Sequence, residues 1–181
     1  MILKDQYTQT VAGELQKELG IKNIHAVPRI SKVVLNVGVG DAATNKKAID
    51  KVVDELTLIS GQKPVIALAR KSVSAFKIRK GQAIGVKVTL RGKNMFFFLE
   101  KLFKVVLPRI RDFRGLRGTS FDGHGNLNIG ISDQTLFPEI EYDKIDRIRG
   151  VEITIVTTAQ TDEHARKLCE KMGLVFKETT E

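Results

Sequence analysis

The segment Ile84–Arg91, IGVKVTLR, alternates apolar and polar residues without a break. A period of two puts Ile84, Val86, Val88 and Leu90 on one side of an extended strand and Gly85, Lys87, Thr89 and Arg91 on the other. Two further stretches repeat the pattern. In Ile30–Gly38, Ser31, Val33, Leu35 and Val37 oppose Lys32, Val34 and Asn36; in Leu127–Ser132, Leu127, Ile129 and Ile131 oppose Asn128, Gly130 and Ser132. Each strand therefore has one side fit for a core and one fit for water. A sheet of this kind is covered by helices on its apolar side only, and the expected polar side is rich in Lys, Arg, Asn, Thr and Gly.

The remaining elements follow from helical periodicity and its punctuation. Leu3–Leu19 reads as a helix, with Tyr7, Val11, Leu15 and Leu19 at four-residue spacing and Gly20 as its stop. Asn45 is placed to cap a second helix, Lys46–Ser60, ended by Gly61. Lys63–Ala69 reads as a strand, Asn94 is expected to cap a third helix ending near Pro108, and Val151–Thr158 is the last strand. Thr161 is expected to cap a final helix that carries Asp162 and Glu163 in its first turn. The order α-β-α-β-β-α-β-β-α predicts an α+β fold: a mixed or mostly antiparallel sheet of about five strands, helices on one face and an open basic and polar face opposite. Nothing marks a boundary, so residues 1–181 are read as a single domain, with an N-terminal helix over 1–22, a basic loop over 70–84 and a frayed tail over 177–181.

Charge is concentrated in the middle of the chain. Between Glu55 and Glu100 there are nine Lys or Arg and no acidic residue. Residues 56–118 hold fifteen basic and two acidic side chains, whereas residues 119–181 hold seven and twelve. Such a field predicts a polyanionic partner, nucleic acid above all. The loop Arg70–Gly85 gathers Arg70, Lys71, Lys77, Arg79 and Lys80 with the hydroxyls of Ser72 and Ser74 around Phe76. That ring either stacks on an unpaired base or folds back to anchor the loop. Arg109, Arg111 and Arg114, with Arg117, make a second cluster in PRIRDFRGLRG, where guanidinium groups suit bidentate phosphate contact.

Other chemistry is weakly signalled. Gly38-Val39-Gly40-Asp41-Ala42-Ala43 matches a dinucleotide fingerprint between a strand and a helix, and Arg70 would suit the 2′-phosphate of an NADP-type cofactor. A doubly wound sheet would need a helical crossover after the second strand, where a hairpin is expected instead. Glu139, Glu141, Asp143 and Asp146 alternate with Lys144, Arg147 and Arg149, the pattern of a solvated or protein-facing loop. His25, His124 and His164 lack metal-ligand spacing, and Cys169 lies on a core face with Ala165, Leu168 and Met172. The amino end has no charged head before an apolar run, so no secretory leader is expected. The most apolar window, Met95–Leu107, is too short and too charged to span a bilayer. No set of residues assembles a nucleophile, a base and an oxyanion site. The expectation is a cytoplasmic, non-enzymatic binding protein with no cofactor, metal or membrane.

The stretches VPRISKVVLNVGVGDA (27–42), LTLISGQKPVIALARKSVSAFKIRKGQAIGVKVTLRG (56–92), LPRIRDFRGL (107–116), SFDGHGNLNIGI (120–131) and FPEIEYDKIDRIRGVEITIVTTA (137–159) resemble the family of large ribosomal subunit protein number five, the bacterial 5S rRNA binder. The likeness covers nearly the whole chain. It implies a structural protein of the central protuberance, whose partners are 5S rRNA, large-subunit rRNA and other 5S rRNA-binding ribosomal proteins. In the family, positions matching Asn36, Gln62, Phe76 and Thr89 contact 5S rRNA; the cations Lys32, Arg70, Lys71, Lys87 and Arg91, on the open face and the basic loop, are expected to bind 5S rRNA with them. The resemblance also implies that Ser72, Ser74, Lys77, Arg79 and Lys80 face peptidyl-site tRNA. It further implies that Arg109, Arg111, Arg114, Glu139, Glu141 and Asp143 lie near small-subunit head protein thirteen in an intersubunit bridge. Arg117, His124 and the Phe-rich NMFFFLEKL depart from the family pattern.

Overall fold

The structure is a computed structural model that describes residues 3–43, 45 and 47–177. Five strands form one antiparallel sheet: β1 (Ile30–Gly38), β2 (Val65–Leu68), β3 (Ala83–Leu90), β4 (Leu127–Ile131) and β5 (Val151–Thr157), ordered β2-β3-β1-β5-β4. The helices are α1 (Leu3–Gln6), α2 (Ala12–Glu18), α3 (Lys47–Ser60), α4 (Gly92–Lys101), α5 (Leu107–Arg109) and α6 (Asp162–Lys171). The α+β class and the element order agree with the reading above. The chain packs as two compact units, one holding residues up to Val33, Arg91–Ile129 and residues from Thr154 onward, the other Val34–Leu90 and Gly130–Ile153.

In the second unit, alternation along the strands decides burial. Leu35, Val37, Val86, Val88 and Leu90 are buried, while Asn36 and Thr89 between them are half-buried and Lys87 is exposed. Helix α3 packs on β3 with Ile49, Val52, Leu56 and Ile59 turned inward. Asn45 accepts a hydrogen bond from the amide of Lys47 at 3.2 Å, the expected cap. Phe137 is fully buried in the same unit.

In the first unit, the N-terminal helix is interrupted by a π-turn over Tyr7–Val11, and α4 runs into another over Leu102–Val106. Each inserts a residue into the helical repeat and shifts the buried stripe by one position. Leu15, Leu99, Leu102, Ile155, Leu168 and Met172 form the core. The Tyr7 hydroxyl donates to the Pro28 carbonyl at 3.0 Å, and burial pushes its pKa up. Helix α4 starts at Gly92, two residues before the Asn94 expected to cap it, and its N-cap position is held by Arg91 without a side-chain bond. Gly92 takes φ +57, and this left-handed turn starts the helix early. Thr161 caps α6 as expected, accepting from the His164 amide at 3.4 Å. Asp162 also reaches the loop before β4, accepting from Gly123 N at 3.0 Å and Gly125 N at 2.8 Å. Cys169 is buried and its thiol is pushed up to about 12 by desolvation, so it is inert core.

Two glycines test this backbone in opposite directions. A Cβ on Gly125, at φ +79, would lie 2.8 Å from the Ala159 carbonyl oxygen, whereas one on Gly13 in α2 would meet nothing within 4 Å. Gly125→Ala is expected to lower unfolding free energy by ~1–3 kcal/mol, and Gly13→Ala to raise it by ~0.5–1 kcal/mol. Urea denaturation midpoints read both.

Candidate nucleic-acid interface

Residues of the predicted RNA set come together in the second unit. Gly61, at φ +66, ends α3 and turns the chain toward β2. Buried Ser60 fixes that turn: its hydroxyl donates to the Leu56 carbonyl at 2.6 Å and contacts the Gln62 carbonyl at 2.9 Å, while its oxygen accepts from the Gln62 amide at 3.2 Å. Gln62 is thereby aimed at β3, where its side-chain amide donates to the Thr89 carbonyl at 3.4 Å. Asn36 points the same way as Thr89 and Lys87, since all three alternate with buried positions. Strands β1 and β3 approach closely because Gly85 has no side chain: a Cβ there would lie 3.0 Å from the Val37 carbonyl oxygen.

The outward side of this unit also carries residues outside the expected set. The Asn36 amide donates to Glu152 of β5 at 3.4 Å, so a carboxylate sits among the polar groups. Alternation in VEITIVT was legible and would have placed Glu152 there. Val65 pairs with Lys87 across β2 and β3, which puts an exposed valine beside that lysine.

The segment read as a long loop is a small ordered hairpin. Val73 and Ile78 exchange amide-to-carbonyl bonds of 2.9 and 3.1 Å, and Lys77 closes the tip at φ 54 with its amide on the Ser74 carbonyl at 2.9 Å. Its base is braced internally. The Lys80 amide donates to the Ser72 hydroxyl oxygen at 2.9 Å, the Arg79 amide to Gln82 Oε1 at 3.1 Å, and the Gly81 amide to the Ala69 carbonyl at 2.9 Å. Ser72 thus serves the hairpin itself. Arg70, Lys71, Lys77, Arg79 and Lys80 all remain exposed, and Phe76 at the tip is 72% exposed, not folded onto the core.

The acidic segment is fastened from behind. Arg149, 7% exposed, binds Asp41 through Nη2 at 2.9 Å and Asp146 through Nη1 at 2.9 Å. Buried Gln134 donates to the Arg147 carbonyl at 2.8 Å and accepts from the Arg149 amide. The Arg149 guanidinium holds both carboxyls below their ordinary range, and the two carboxylates raise the guanidinium pKa. No local pattern announces this contact, because Asp41 and Arg149 lie 108 positions apart. In front of the clasp, Glu141, Tyr142 and Asp143 are exposed and Glu139 is half-buried. Arg109, Arg111 and Arg114 are exposed in the first unit, where Lys32 is half-buried and Arg91 exposed.

The dinucleotide fingerprint does not find its context. Gly40–Ala43 is a short 3-10 turn, Asp41 within it is bound to Arg149, and β2 pairs antiparallel with β3 with no helical crossover between them. Among the described residues, no cluster of His, Cys, Asp and Glu could hold a metal ion, and no helix is long and apolar enough to cross a membrane.

Comparison with known proteins matches two family models: "Ribosomal protein L5" over residues 23–79, and the C-terminus of that same ribosomal protein family over residues 83–176. A relative called "Large ribosomal subunit protein uL5" from Thermoanaerobacter sp. (strain X514) is 55% identical over 174 residues, 96% of this chain and 97% of its own. Proteins of the same description from Mesoplasma florum and Symbiobacterium thermophilum are each 54% identical, covering 96% and 97% of this chain and 97% and 98% of theirs.

The clasp predicts an acid dependence. Both carboxyls titrate below their ordinary 3.8 when folded, so their contribution is complete above that value and is lost as pH falls through the lower, folded pKa values. Arg149→Met should destabilise the fold by ~1–3 kcal/mol at neutral pH, a partly exposed ion pair being worth less than a fully buried one. Its stability should then fall less steeply than the parent's below pH 3.8, as read by urea melts across the acid range.

Proposed function

Because the chain belongs to the ribosomal protein L5 family, we propose that it binds 5S rRNA through the outward side of its sheet and helps attach that RNA to the large subunit. Membership makes it a non-enzymatic protein of the large ribosomal subunit, working on the bacterial ribosome in the cytoplasm. The observation that carries the finer reading is the grouping of Asn36, Lys87 and Thr89 on the outward side of a strand pair, with Gln62 bound to Thr89. These side chains supply amide, hydroxyl and ammonium groups for base edges, ribose hydroxyls and phosphates. The acid-free stretch around them supplies the long-range attraction.

Within this reading, Arg70, Lys71 and the Phe76 ring extend the 5S rRNA surface, with Lys32 and Arg91 as further cations. The hairpin cations Lys77, Arg79 and Lys80, with Ser72 and Ser74, reach peptidyl-site tRNA. The acidic turn Glu139–Asp143 and the arginines 109, 111 and 114 belong to an intersubunit bridge with small-subunit head protein thirteen. An exposed acidic turn held by a buried arginine suits a basic protein better than RNA, since phosphate would be repelled. Other 5S rRNA-binding ribosomal proteins and large-subunit rRNA complete the set of partners.

Glu152 has a place in this account. A carboxylate accepting from Asn36 fixes the orientation of that amide, and it can also accept from the amino group of an unpaired base while discouraging phosphate at that one spot.

Binding of the purified protein to isolated 5S rRNA, against a control RNA of equal length, tests the reading. The expected result is a clear preference for 5S rRNA. If about six phosphates are neutralised, the log–log salt slope should be on the order of −5. Asn36→Ala or Thr89→Val should weaken 5S rRNA binding, and Phe76→Ala should cost ~1–3 kcal/mol if the ring stacks on a base. Equal affinity for the control RNA would sink the proposal.

A further inference from the structure

A second surface of the cationic hairpin faces away from the outward residues described above. Ile66 of β2 pairs with Val86 of β3, whose side chain is fully buried under α3, so Ile66 points to the helix-covered side of the sheet. Because β2 is an edge strand, this isoleucine stays 41% exposed. It lies in an open cleft of about 790 Å³ between the hairpin and α3, whose apolar lining includes Ile49, Ile66 and Ala83. Lys77, Arg79 and Lys80 line the hairpin side, and among the described residues of the lining Asp50 of α3 is the one that is acidic.

We propose that this cleft receives a single unstacked nucleotide of an RNA strand that passes along the hairpin, which would give the hairpin a base-binding surface in addition to its phosphate contacts. The inference rests on the reading of that hairpin as an RNA-contacting element. The exposed Ile66 side chain offers the base an apolar surface, which replaces the stacking partner it leaves behind. The three cations meet the phosphates on either side of the extruded nucleotide. Asp50 repels phosphate but accepts hydrogen bonds, so it suits a base amino group at the end remote from the backbone, or a ribose 2′-hydroxyl turned away from the phosphates. An apolar peptide would leave three cations without counter-charge. A free nucleoside polyphosphate fits less well, because the cations are spread along an exposed hairpin and not converged on one point.

The test is photocrosslinking of the full-length protein to a short single-stranded RNA carrying one thiouridine, with adducts mapped by mass spectrometry. Adducts are expected on the peptides bearing Ile49 and Ile66. Ile66→Glu, at an exposed edge position where circular dichroism checks the fold, should remove them and weaken affinity for this RNA roughly five- to hundredfold, while 5S rRNA binding is kept. Asp50→Asn, on the exposed face of α3, should bring the adduct yields of ribose and deoxyribose probes closer together. Adducts confined to Phe76 and the sheet, with unchanged yield in Ile66→Glu, would overturn the cleft. Saturable binding of ADP in the cleft with no RNA adduct there would overturn RNA as the source. Unchanged RNA affinity after replacing Lys77, Arg79 and Lys80 together by Ala would instead overturn the underlying reading of the hairpin.

Discussion

Every feature of the proposed interface depends on burying alternate residues of extended strands. Leu35, Val37, Val86, Val88 and Leu90 are drawn into the core because each removes apolar area from water, at ~25 cal/mol per Å². The residues between them have no choice of direction. Asn36, Lys87 and Thr89 point outward because their neighbours point inward, and a slip of one residue would bury all three. The core therefore sets the position of the polar groups as firmly as any contact those groups make themselves.

Electrostatics acts on this frame at two ranges. The absence of carboxylates over residues 56–99 gives the edge strand and its hairpin charged side chains of one sign. Acidic residues are admitted where something specific holds or uses them. Asp41 and Asp146 are locked on Arg149, and Glu152 accepts from Asn36. A buried arginine with two carboxylates is weak evidence of stability, since desolvation offsets most of the attraction. Its clearer consequence is positional: the segment before it is held to the turn after β1, and the acidic residues Glu141 and Asp143 are presented to solvent from a fixed base.

Legibility in the sequence followed the range of the interaction concerned. The strand faces, the Asn45 and Thr161 caps and the glycine stop at Gly61 are local, and each was readable from residues within a few positions. The start of α4 was misread because Asn94 is a good cap by type, while the structure uses the left-handed freedom of Gly92 two residues earlier. The π-turns left no mark in the periodicity. The Arg149–Asp41 half of the clasp and the Gln62–Thr89 contact join residues distant in sequence, and composition says nothing of such pairs. Gln62 entered the expected set only through family resemblance, and the Ser60 hydroxyl now supplies a physical reason for its direction.

The hairpin shows why a loop braced by its own hydrogen bonds is a better binding element than an unbraced one. Phe76 is exposed, and an exposed aromatic on a floppy loop would lose much of its stacking energy to ordering the chain on contact. Here the ordering is already done by backbone bonds between Val73 and Ile78 and by the braces from Ser72 and Gln82. The cations need less restraint, because an ammonium or guanidinium on a long stem can follow a phosphate over several ångströms. Under the proposed function, a braced tip with flexible charges around it would separate two jobs: the charges would gather the strand, and the ring and neighbouring cleft would select for bases that are free to leave their stack.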